Sequence, residues 1–114
     1  MKRIPFSLPD VGLREIRGEV YLTDVVLVLE LQDALLGEWD QDLKTIEIEP
    51  GALVEIRLDR HPLKDRLVLR PATRDLLEAV PGNHAREVAL QIWRKHRSSV
   101  LDLVTAVRVH IESA

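Results

Sequence analysis

From Arg14 to Leu22, apolar and polar side chains alternate one by one. Ile16, Val20 and Leu22 share one face and Glu15, Arg17, Glu19 and Tyr21 the other, the period-two signature of a half-buried strand. Gly18 falls on the apolar phase, where a missing side chain suits a bulge or the close approach of a second backbone. Past a polar corner at Thr23-Asp24, the run VVLVLELQ is apolar on both phases: Val25, Leu27, Leu29 and Leu31 on one, Val26 and Val28 on the other. Either the chain's own loop or C-terminal helix covers that second phase, or a second subunit does, because contiguous exposed apolar patches are unusual on monomers.

Residues 33–44, DALLGEWDQDLK, break the alternation at Gly37 and crowd Asp33, Glu38, Asp40 and Asp42 around Trp39. The spacing lacks the alternating oxygen ligands, central glycine and closing glutamate of a calcium loop, so the segment reads as a solvated hairpin loop. Trp39 has two readings, a lid folded back on the core or an exposed binding anchor. TIEIE from Thr45 and LVEIRLD from Leu53 alternate again, separated by the turn signal Pro50-Gly51. This phasing sends Ile46, Ile48, Val54, Ile56 and Leu58 to the core and Glu47, Glu49, Glu55, Arg57 and Asp59 to water. A corner at His61-Pro62 leads to the strand RLVLRP, ended by Pro71. Residues 72–80, ATRDLLEAV, fit a short helix capped by Thr73 or a further extended segment, the extended form being preferred, and Pro81-Gly82-Asn83 ends either. EVALQIW supplies the last strand, with Val88, Leu90 and Ile92 inward.

The period changes after Trp93. At 100° per residue, Val100, Leu103, Val104, Val107 and Ile111 fall on one arc, with Arg94, Lys95, Ser98, Asp102 and Thr105 opposite, which predicts an amphipathic helix over 94–112. Ser99 with Asp102 resembles a capping pair, which would move the regular start to Ser99. A helix with one apolar face needs a surface to cover, and the preceding strands provide it. The expected fold is mainly β (α+β): a bent antiparallel sheet or partly open barrel of six or seven strands over residues 14–93, closed by that helix. Residues 1–12 read as an irregular lead-in, since Pro5 and Pro9 remove ladder donors.

A chain of 114 residues suits one domain with its own core. The absence of cysteine excludes a disulfide framework, a thiolate metal site and a cysteine nucleophile, and fits a reducing compartment. The start, MKRIPFSLPD, leaves no room for the apolar centre of a signal peptide. The longest apolar run, Val25 to Leu36, is broken by Glu30 and Asp33 and is shorter than the roughly 20 residues of a membrane span. A cytoplasmic location is therefore expected. The net charge of −3 conceals a split: 13 acidic and 6 basic side chains up to Asp59, then 6 and 10 from Arg60 onward. Such polarity orients self-association or attracts a charged partner when the fold keeps the halves apart.

Short hairpin-connected antiparallel strands followed by one amphipathic helix is also the order of the pleckstrin-homology (PH) superfold. From about residue 14 to residue 111 the chain resembles bacterial PH-like and GRAM-like domains. GEVYLTDVVLVLEL is similar to their first hairpin, TIEIEPGALVEIRL to their third and fourth strands, and VALQIW to the strand before their helix. The resemblance is one of element order and spacing. It implies a helix plugging the open end of a bent sheet, and a module that binds lipids, peptides or proteins, or assembles with itself, rather than an enzyme. Phosphoinositide-binding members carry basic residues at the first hairpin loop. The matching corner here, Leu22-Thr23-Asp24-Val25, is short and acidic, which argues against inositol-phosphate recognition.

His61, His84, His96 and His110 stand singly, outside any HExxH or His/Cys/Asp constellation, and Ser98-Ser99 is explained by a helix start. No catalytic residue, metal or cofactor is expected. Two groups of cations remain. Arg60, Lys64 and Arg66 bracket one hairpin corner, and Arg94, Lys95 and Arg97 cluster where a helix dipole disfavours positive charge, which places them on the connection. These six are the candidate anion contacts. Only four aromatics, no RNP-like motif and a pI of 5.8 argue against nucleic acid. The functional expectation is a non-catalytic PH-like interaction or self-assembly module, a homo-oligomer or partner of another protein, with Val26, Val28 and Trp39 as interface candidates. The alternative is a binder of a small ligand or an anionic membrane surface, through the basic corner or a pocket between sheet and helix.

Overall fold

A computed structural model describes residues 2–8, 14–35, 38–39, 44–73 and 87–113. The alternating segments form β2 (Arg14–Leu22), β3 (Leu27–Leu35), β5 (Lys44–Ile48), β6 (Leu53–Asp59), β7 (Lys64–Pro71) and β8 (Val88–Trp93). Two further strands, β1 (Ile4–Ser7) and the short β4 (Glu38–Trp39), complete one antiparallel sheet. Its path runs β4-β3-β2-β1-β8-β7-β6, with β5 pairing the same edge of β3 as β4 does, further along. Among the described residues β5 and β6 are not paired with each other, so the sheet is open. The chain is thus mainly β, an antiparallel sheet covered by one C-terminal helix.

β1 corrects the irregular lead-in expected for residues 1–12. It lies in the middle of the sheet, between β2 and β8, despite Pro5. The Leu8 N–H donates to the Ile16 carbonyl at 2.9 Å. By alternation, Phe6–Gly18 and Ile4–Val20 are then the other hydrogen-bonded pairs. Pro5 therefore turns its missing donor away from β2 and toward β8, where β1 pairs at Ser7 with Gln91. Ile4, Phe6 and Leu8 meanwhile reach the core. Gly18 does what its inward phase predicted: a Cβ there would overlap the Glu30 carbonyl of β3 and lie 3.1 Å from Phe6 Cζ.

Two other phases differ from the alternation. β3 continues through Asp33, Ala34 and Leu35, paired with Ile16, Glu15 and Arg14, where a loop was expected from residue 33. In β6, Leu53 opposes Pro71 and Glu55 opposes Arg70, so Val54 is the extra residue of a bulge. The bulge turns Val54 outward, 57% exposed, and sends Leu53 inward beside Ile56. The residues 74–80 of the ambiguous ATRDLLEAV segment lie outside the described residues. The Thr23 corner is a tight turn. Thr23 N–H donates to the Val26 carbonyl at 2.8 Å, and its hydroxyl accepts from the Val26 N–H at 3.0 Å, so Val25 and Val26 precede the strand rather than opening it.

After Trp93 a single 3-10 turn, Arg94–His96, leads into α1 (Arg97–Ser113). The regular helix thus starts between the two expected positions. Val100, Leu103 and Val107 are fully buried and Val104 nearly so, joined by the partly buried Ile111. Each full burial contributes roughly 2 kcal/mol, and α1 obtains it against β6, the Pro50–Ala52 turn and β2. Arg108 Nε also donates to the Ile56 carbonyl at 3.2 Å, closing part of the edge of β6. The core between helix and sheet draws on β1, β2, β3, β5, β6, β7 and β8.

Candidate functional site: the basic corner at the helix start

β7 carries Asp65, Leu67 and Leu69 on its inward phase, and all three are fully buried. Asp65 is the one buried charged side chain among the described residues. A carboxylate in that position is costly unless paired and hydrogen-bonded. Arg97, at the first position of α1, supplies the pairing: its Nε and Nη2 each donate to an Asp65 oxygen at 2.7 Å. The His61 N–H adds a bond to Oδ1 at 3.2 Å. The Arg97 hydrogen bonds hold the Asp65 carboxyl below the usual carboxylate range; burial opposes them and the His61 N–H assists. Asp65 also brings negative charge to a helix start whose first turn has no acid of its own, which suits the helix dipole.

This pair fixes the β6–β7 loop against the β8–α1 connection. Arg94 reinforces the junction, its N–H on the Leu63 carbonyl at 3.3 Å and its Nη1 on the Pro62 carbonyl at 3.2 Å. Lys64 opposes Trp93 in the β7–β8 ladder, and its Nζ sits 4.7 Å from the centre of the Trp93 ring. The result is a rigid corner with two exposed apolar groups, Leu63 at 72% and Trp93 at 51% exposure. Arg60, Lys64, Arg94 and Lys95 each lie within three residues of one or the other along the chain, and of the four only Lys64 is partly buried. Asp65 is neutralised by Arg97, and Asp59, at the end of β6, is held by Arg57 at 3.2 Å.

The six anion candidates therefore separate. Arg60, Lys64, Arg94 and Lys95 belong to the corner; Arg60 is close enough to Asp65 to favour its charged form. Arg66 is exposed on the outer phase of β7, two residues from Lys64 and opposite Gln91. Arg97 is spent on Asp65 and presents a structural, not a binding, guanidinium. Sequence reasoning missed Asp65, Leu63 and Trp93. The available signal was an acid in phase with Leu67 and Leu69, which demands a cation brought against it from another element.

The interface candidates fare differently. Val28 is 3% exposed within its own chain, between its strand neighbours Tyr21 and Glu47. Arg3 lies 4.4 Å from the centre of the Tyr21 ring and bonds Glu30 at 2.9 Å, while the Tyr21 hydroxyl donates to Glu30 at 2.8 Å. Val26 is half-buried in the Thr23 turn. The second apolar phase that suggested a subunit interface is accordingly closed at Val28 by the chain itself. The Trp39 side chain lies outside what is described.

Among the described residues no group of three potential metal-ligating side chains occurs, and no helix is long and apolar enough to cross a membrane. Comparison with protein-family models, with curated proteins and with solved structures finds no match to this chain.

Proposed function

We propose that the protein is a non-catalytic binding module and that its contact surface is the basic corner, which meets an anionic partner. The observation that carries this reading is the segregation of charge within the corner. Four cations lie within three residues of two exposed apolar side chains, while the adjacent acids Asp59 and Asp65 are each held by an arginine. The buried carboxylate of Asp65, the one such group among the described residues, is engaged in holding that corner together, which supports a structural rather than a chemical role for it. A PH-like architecture remains the proposed parentage. It is supported by the continuous antiparallel path and by one helix lying on the core. With β1 present, the first hairpin is β1–β2, and the residues that join it, 8–13, contain Asp10 and no Lys or Arg. Anion contact is therefore assigned away from that hairpin and to the opposite part of the chain.

The test is retention on an immobilised polyanion at low salt. Arg60→Glu with Lys95→Glu is compared with Lys44→Glu and Arg70→Glu, exposed cations at the start of β5 and the far end of β7 that change the net charge equally. The corner pair is expected to elute at clearly lower salt than the control pair. Equal elution of the two would overturn the assignment.

A further inference from the structure

We infer that the anionic partner is a lipid bilayer, which the corner meets by inserting Leu63 between headgroups with Trp93 at the interface and the cations against lipid phosphates. This rests on the corner being the contact surface, and it goes further by naming what lies opposite. The composition of the corner distinguishes a bilayer from a dissolved anion. A small anion is held by convergent donors, whereas here the strongest donor pair, on Arg97, is already taken by Asp65 at 2.7 Å. What remains is an exposed apolar tip: Leu63, the residue before β7, 72% exposed, and Trp93, the last residue of β8, 51% exposed. Solvent-facing apolar groups ringed by Lys and Arg suit a surface that is apolar inside and anionic at its rim. Tryptophan has the matching amphipathic body, a large ring with one polar edge, and Lys64 beside it keeps a cation at headgroup level. The tip is also stiff. Two hydrogen bonds from Arg94 and three to Asp65 hold it before any contact is made, so little ordering entropy is lost on docking.

The experiment uses the full chain carrying Trp39→Phe, which leaves Trp93 as the single tryptophan. Vesicles of phosphatidylglycerol and of phosphatidylcholine are titrated at low salt, following Trp93 emission and co-sedimentation. The expected result is a blue shift and pelleting with phosphatidylglycerol only. Binding should fall at least about tenfold in high salt, about tenfold with Leu63→Ser and more with Arg60→Glu and Lys95→Glu together. All three positions are exposed, and circular dichroism confirms folding of each variant. Poly-glutamate provides the second arm. Binding to poly-glutamate but not to phosphatidylglycerol, still dependent on Arg60 and Lys95, would refute the bilayer while leaving the corner as a protein-facing site. Pelleting without a Trp93 shift, unaffected by Leu63→Ser, would refute insertion. No binding in either arm would remove the corner reading as well.

Discussion

Replacing Asp65 by Asn removes one negative charge from a fully buried position while keeping the side chain's size. In the native protein that carboxylate accepts two charge-assisted hydrogen bonds from Arg97 at 2.7 Å and one from the His61 N–H at 3.2 Å. Asn keeps one acceptor and turns an NH2 group toward a guanidinium. Truncating a fully buried ion pair costs about 3–5 kcal/mol, but the Arg97 side chain is 31% exposed and water replaces part of what it loses. The expected loss is about 2.5 kcal/mol, within the range for a bond to a charged group. For 114 residues, at roughly 2.1 cal/mol/K each, the unfolding entropy is about 240 cal/mol/K, so Tm should fall by about 10 °C at pH 7. The pH dependence supplies an independent check. Arg97 lowers the folded-state pKa of Asp65, so the stabilisation is complete above the unfolded carboxylate value of about 3.9 and is lost as pH falls through the folded value. Thermal melts of the two proteins should therefore be separated by a constant interval from pH 7 to about pH 5 and converge below about pH 4. A Tm within about 2 °C of the parent at pH 7, or an interval unchanged down to pH 3, would refute the role given to the pair.

Two further substitutions test the sheet and its cover. Gly18→Ala places a methyl group against the Glu30 carbonyl, a backbone atom that moves only if β2 and β3 separate, with Phe6 Cζ 3.1 Å away; chemical denaturation should show a loss of about 3 kcal/mol, and an unchanged midpoint would contradict the described register. Val107→Asp buries an unpaired charge under α1 and should unfold the domain or cost more than about 3 kcal/mol, whereas Val109→Asp, 57% exposed on the same helix, should stay within about 0.5 kcal/mol. Equal melting temperatures for these two helix variants would remove α1 as the cover of the sheet.

Periodicity made the greater part of this fold legible. Ile16, Val20 and Leu22, then Leu27, Leu29 and Leu31, then Val88, Leu90 and Ile92, and the helical arc from Val100 to Val107 are all buried on the phases their spacing dictates. The departures have local causes. Pro5 suggested irregular chain because a proline in a central strand forfeits a donor, but its ring nitrogen faces the side of β1 that pairs with β8 only at Ser7. Val54 was placed inward by strict alternation, and a bulge of one residue reversed it. Val28 was apolar on the outward phase and suggested a partner, because spacing along one strand does not show that Tyr21 and Glu47 flank it on neighbouring strands. The corner was half legible. Its cations were visible as two clusters, but their union depends on a pairing between residues 32 positions apart. That pairing also removes Arg97 from the cluster and brings Trp93 and Leu63 into it.

Two exposed apolar residues allow a matched comparison that bears most directly on the corner as a contact surface. Leu63 and Val25 are both 72% exposed, one among the corner cations and the other beside Asp24 in the Thr23 turn. The chain contains no cysteine, so Leu63→Cys and Val25→Cys each carry a single environment-sensitive fluorophore. With phosphatidylglycerol vesicles at low salt, the label at position 63 should shift to the blue and become protected from an aqueous quencher, while the label at position 25 stays as it is in buffer. Equal responses at the two positions, or a response at position 25 alone, would contradict the assignment of the corner.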